Sequence, residues 1–103
     1  MATPNYQRWF FNGAYVVSGR PKMEDAIMHY VRHNYDECLV YESFLPKLVK
    51  EIQEYQDTLY EKNKRLKKVE IWLSKNDGGS TRWLHIGAQH FYLRKVKEEI
   101  EYA

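Results

Sequence analysis

The sequence predicts an α+β domain in which a small antiparallel sheet packs on one long helix, about residues 44–66, and two shorter helices. The first observation behind this is a stripe. Leu45, Leu48, Ile52, Tyr55, Leu59, Leu66, Val69 and Leu73 follow one another at alternating steps of three and four, with a single gap at Lys62. Such a row lies along one side of a helix and demands a partner surface, either a sheet of the same chain or a second copy. The second observation is that aromatic and β-branched segments at 8–18, 37–42, 68–75 and 81–87 read as strands. The third is Asn76-Asp77-Gly78-Gly79, a turn sequence between the last two of them. The alternative is an all-α helical hairpin, in which the stripe's helix continues through Leu73 and the same turn leads into a second helix.

Taken in order, Arg8 to Val17 holds Asn12-Gly13 between aromatic and β-branched residues, which favours a short hairpin with a type I′ turn over one strand bent at Gly13. Gly19-Arg20-Pro21 then punctuates the chain. Met23, Ala26, Ile27, Tyr30 and Val31 give Lys22–Asn34 helical spacing, with Glu24 and Asp25 near the positive end of its dipole. Cys38 to Tyr41 is short and apolar and is assigned to strand. Ser43 can cap the long helix, and Pro46 is tolerated in its first turn. Between 67 and 87 the β-hairpin is favoured, because a continued helix would expose both Ile71 and Trp72. Gln89–Tyr102 is expected to be the last helix, with Leu93, Val96 and Ile100 on one side.

A chain of 103 residues is a single domain by size, and 44% hydrophobic with 29% charged residues is an ordinary globular balance. The single cysteine, Cys38, excludes an internal disulfide framework, fits a reducing compartment, and is expected as a small core residue. MATPNYQRWF has neither the basic nor the apolar region of a secretory signal, and no apolar run is long enough to span a bilayer. The expected setting is cytoplasmic.

Charge is polarised within the stripe region. Residues 36–61 carry seven acids against Lys47 and Lys50, whereas residues 62–75 carry six bases against Glu70. Within the basic block, Lys62, Lys64, Arg65, Lys67 and Lys68 are joined by Trp72, Lys75, Arg82 and Trp83 on the expected hairpin. Cations interleaved with indoles suit nucleic acid, the cations neutralising phosphates and the rings stacking on unpaired bases. A lysine-rich helix end also complements the helix dipole with no ligand at all.

Catalytic and metal chemistry find little support. His29 and His33 stand one turn apart with Asp25 and Cys38 as conceivable partners, but no second ligand motif accompanies them, and a solvated helix face is the simpler reading. Gly78-Gly79-Ser80-Thr81 lacks the spacing of a phosphate loop. No nucleophile–base pattern or dinucleotide fingerprint is present. The sequence therefore points to a non-enzymatic binding protein without metal or cofactor. It would dock on a macromolecular partner as an accessory subunit or inhibitor-type protein, of a kind common in phages and mobile elements. A protein partner is favoured, self-association through the stripe is a further option, and nucleic-acid binding through 62–82 is the alternative.

Overall fold

In the computed structural model, residues 7–15, 21–75 and 81–96 are described. Their order is strand β1 (Arg8–Tyr15), helix α1 (Lys22–Tyr35), strand β2 (Leu39–Tyr41), a 3₁₀ turn (Glu42–Phe44), helix α2 (Leu45–Lys62), then strands β3 (Ile71–Lys75), β4 (Thr81–Ile86) and β5 (Gln89–Val96). The strands form one antiparallel sheet in the order β2-β1-β5-β4-β3. Both helices cover the same face of it. The α+β class and the antiparallel sheet are as expected, but the described residues hold two helices, not three.

The stripe finds its partner inside the chain. Leu45, Leu48 and Ile52 of α2 are buried against Ile27 and Val31 of α1 and against Phe11, Leu84, Ile86, Phe91 and Leu93 of the sheet. Tyr55 and Leu59 pack at the margin of that core. Helix α2 stops at Lys62, four residues short of the expected end, because Asn63 turns extended (φ −147°, ψ 96°) and its side chain accepts the Arg65 N–H at 3.0 Å. Leu66 and Val69 still reach the core, from irregular backbone instead of a continued helix. The all-α alternative is thereby overturned.

The β-hairpin at 67–87 is present, with Ile71 opposite Ile86 and Lys75 opposite Arg82. Its expected turn, Asn76–Gly79, lies outside the described residues. Two expectations are corrected. Asn12-Gly13 does not close a hairpin. Residues on both sides of it pair with β5, and Gly13 uses its positive φ of 141° to absorb a bulge between the Phe11–Leu93 and Gly13–Tyr92 pairs. Residues 89–96 are not helical either. They form β5, in the middle of the sheet between β1 and β4, because Gln89, Phe91 and Leu93 alternate inward while His90 and Tyr92 alternate outward. The rest of the expected last helix, 97–102, lies outside the described residues.

Just past the Asp36 cap of helix α1, Glu37 holds a left-handed φ of 61° that a glycine would adopt at lower cost. At its other end, Glu24 is buried against the β4–β5 turn. It accepts hydrogen bonds from Gln89 Nε2 (2.7 Å) and, more weakly, from the Ala88 N–H (3.4 Å). Gly87, at φ 60°, opens that two-residue turn, and a side chain there would collide with the Glu24 carboxylate.

Candidate functional site

The helices cover one sheet face and leave the other open. Side-chain alternation and register place on the open face Phe10 of β1, Leu39 and Tyr41 of β2, Trp72 and Ser74 of β3, Trp83 and His85 of β4, and His90, Tyr92 and Arg94 of β5. Leu39, Tyr41 and Trp72 are about half exposed. The rings are in mutual contact. Trp72 stacks on His85 at 4.0 Å between centroids and 11° between planes, directly across the β3–β4 pair. Trp83 meets His90 edge-on at 5.0 Å and Tyr92 at 5.1 Å. His85 and His90 face each other across β4–β5 with centroids 5.5 Å apart. Farther along, the Arg94 guanidinium lies over the Phe10 ring.

The Ser74 hydroxyl approaches His85 Nε2 to 2.8 Å and fixes that ring from the side. Burial, and then the neighbouring charge of His90, lower the His85 pKa below the ordinary imidazole value.

Among the described residues, no strand position on the open face is Asp or Glu, while Arg8 and Arg94 alternate onto it. The acids among the described residues sit on the helical layer, in the turns beside it, and at Glu70 just before β3.

The residues expected to form the site are divided by the fold. Trp72 and Trp83 both lie on the open face, but Trp72 stands opposite His85 and Trp83 opposite Ser74, so each indole packs on an imidazole. Arg82 and Lys75 alternate to the other side. Arg82 makes a two-pronged ion pair with Glu42 (2.7 and 2.9 Å), and the Trp9 indole N–H donates to the same carboxylate at 2.8 Å. Burial pushes the Glu42 carboxyl up, but these hydrogen bonds and the charges of Arg82 and Lys75 outweigh it and leave its pKa below the usual range. Arg82 is thus committed to holding the 3₁₀ turn against the sheet.

The basic block occupies the end of α2 and the turn after it. Lys64 pairs with Glu61 and Lys68 with Asp57, each at 2.7 Å, and both ammonium groups sit over the Tyr60 ring. These pairs are exposed and weak enough for a phosphate to displace. Lys62, Arg65 and Lys67 are exposed in the same stretch. A cleft of about 630 Å³ between α2 and β3 has Lys68 and Trp72 among its lining residues, together with Asp57 and Glu70, and joins the basic turn to the edge of the ring-lined face.

His29 and His33 are exposed on α1, and among the described residues no group of three or more His, Cys, Asp or Glu side chains is arranged to hold a metal. Cys38 is half-buried at the rim, with its Sγ 3.8 Å from the Asn34 carbonyl, and not in the core as expected. The Gly78-Gly79-Ser80 segment lies outside the described residues. Among the described residues no helix is long and apolar enough to cross a membrane.

Sequence reasoning missed His85, His90, Tyr92 and Arg94. The signal was the period-2 alternation of 89–94, which a helical reading of that segment scatters around an axis. No family model matches the chain, and no curated protein or solved structure matches it.

Proposed function

We propose that this chain is a non-enzymatic binding module whose open sheet face takes single-stranded nucleic acid. The observation that carries the reading is the composition of that face: rings from all five strands together with Arg8 and Arg94, and no carboxylate at its described strand positions. Unpaired bases stack on such rings whatever their sequence, each contributing about 1–3 kcal/mol. A carboxylate-free surface keeps the approaching phosphates from like-charge repulsion. Trp72 and Trp83 serve as stacking rings, and Arg94 contacts the backbone. Lys62, Lys64, Arg65, Lys67 and Lys68 extend the phosphate path beyond Trp72. Lys75 and Arg82 lie on the other side and support the fold.

Fluorescence anisotropy with labelled single-stranded RNA and DNA tests this at two salt concentrations. Affinity falls with a slope of log K on log salt near about −0.7 per phosphate neutralised, so four or five contacts give about −3. Trp72→Ala weakens binding with little change in slope, and replacing Lys64, Arg65 and Lys68 by Glu flattens the slope. Absence of any complex at low salt overturns the proposal.

A protein partner is the second reading, favoured by Leu39 and Tyr41, which stand half exposed on the short edge strand β2 where another chain can add a strand. It predicts loss of partner capture on Leu39→Lys, with no affinity for oligonucleotides.

A further inference from the structure

We propose that His85 and His90 form a phosphate subsite at the centre of the open face, so that the strand is bound together with protons. The inference rests on the nucleic-acid reading above and adds to it a ligand group, a nucleotide phosphodiester, and a direction of pH dependence.

The two imidazoles are placed for this by the sheet. They face each other directly across β4 and β5, and each lies against one of the two indoles, His85 on Trp72 and His90 on Trp83. A base stacked on the exposed outer face of Trp72 would bring its own phosphodiester toward the pair. Its surroundings are set by the neighbouring elements. From β3 come only Ser74 and Trp72, and from β4 itself Thr81 and Trp83. From β5 come Tyr92 and, four residues from His90, Arg94, while β1 places Tyr15 at the position opposite His90 and Arg8 at its far end. On the helical side of the sheet Glu24 of α1 accepts hydrogen bonds from Gln89 Nε2 and the Ala88 N–H, beside His90, and Glu70 bonds the Gly87 N–H through its backbone carbonyl.

On the free face His85 resists protonation, because its ring is partly desolvated and a charge on the neighbouring His90 would repel its own. A phosphodiester carries a fixed negative charge, so its arrival turns that repulsion into a shared attraction. The protein around His85 is built to accept either state. The Ser74 hydroxyl, 2.8 Å from Nε2, can donate to the neutral ring or accept from the imidazolium, and the stacked Trp72 indole favours a cation on its face. By linkage, a ligand that binds the protonated pair better must tighten as pH falls.

The test is anisotropy with a labelled oligothymidylate and an oligouridylate of about 12 nucleotides, at constant ionic strength, at about pH 5.5 and pH 7.5 on either side of the ordinary imidazole range. Wild type is expected to bind about tenfold tighter at the lower pH, the effect of one pKa unit gained on binding. His85→Gln with His90→Gln shrinks the gap to about twofold or less. The pair His29→Gln with His33→Gln, on exposed α1, leaves the gap unchanged. Imidazole proton shifts in the wild-type protein give a readout independent of any variant: the His85 and His90 titration midpoints rise when the oligonucleotide is added. Equal affinity at the two pH values, a gap that survives the His85/His90 double substitution, or midpoints that stay put would each overturn the subsite while leaving strand binding intact. Failure to bind at either pH overturns the nucleic-acid reading and the subsite with it.

Discussion

The side-chain amide of Gln56 meets the Val69 peptide at both ends: its Oε1 accepts the Val69 N–H at 2.7 Å, and its Nε2 donates to the Val69 carbonyl at 3.1 Å. A buried glutamine on α2 thus takes the place of a neighbouring strand for a residue two positions before β3. Gln53, one turn earlier, donates to the Ile71 carbonyl at 3.2 Å.

Gln56→Leu keeps the volume and removes both bonds, leaving two backbone groups to find water or go without. The expected loss is about 2–4 kcal/mol in a urea melt, since each stranded group costs about 1–3 kcal/mol. Gln53→Leu, at an exposed position, is expected to cost less than about 1 kcal/mol.

Gly87→Ala is expected to destabilise by more than about 2 kcal/mol, from the left-handed φ together with the collision with Glu24. Much of the collision disappears once Glu24 is shortened. Gly87→Ala should therefore cost less in a Glu24→Ala background, by a coupling of about 1 kcal/mol or more in a double-mutant cycle.

Ile52 is fully buried and Leu59 sits at the core margin, so the two ends of the stripe differ in weight. Ile52→Ala is expected to cost about 2–5 kcal/mol and Leu59→Ala distinctly less. Sedimentation should show no change in mass for either variant, because the stripe faces the chain's own sheet.

Acid should loosen the Trp9–Glu42–Arg82 contact. The folded pKa of Glu42 lies below its unfolded value, so the stability it contributes is fully present above the unfolded carboxylate range. It is lost as pH falls through the folded pKa. Glu42→Gln is expected to lower stability at neutral pH and to flatten its acid dependence, read by thermal unfolding across about pH 2–6.

Legibility in the sequence tracked how local the deciding interaction was. Helix α2 was readable because Leu45, Leu48 and Ile52 repeat at helical spacing, and β3–β4 because Ile71 and Trp72 could not both face outward on a helix. The end of α2 at Lys62 was not readable, since it depends on Asn63 turning the chain and on Gln56 receiving Val69. Leu93 and Val96 fit a helical spacing as well as a strand, and β5 is decided by partners at Arg8–Tyr15 and Thr81–Ile86. Asn12-Gly13 has the composition of a turn, and only the distant β5 makes it a bulge. The same error carried into the candidate site. Trp72 and Trp83 stood out as indoles near lysines, whereas His85 and His90 become neighbours only once β4 and β5 are paired.

The position of β5 also bears on how the chain reaches this state. Without it, the sheet falls into a β1–β2 pair and a β3–β4 hairpin, and two-stranded units of that kind are marginal in water. Joining them requires Arg8 to meet Val96 across nearly the whole chain, a closure whose entropy must be met before the contacts it allows can form. Assembly should therefore be late and all-or-none, with α1 and α2 acquiring their slowest amide exchange together with β1 and β5, not ahead of them.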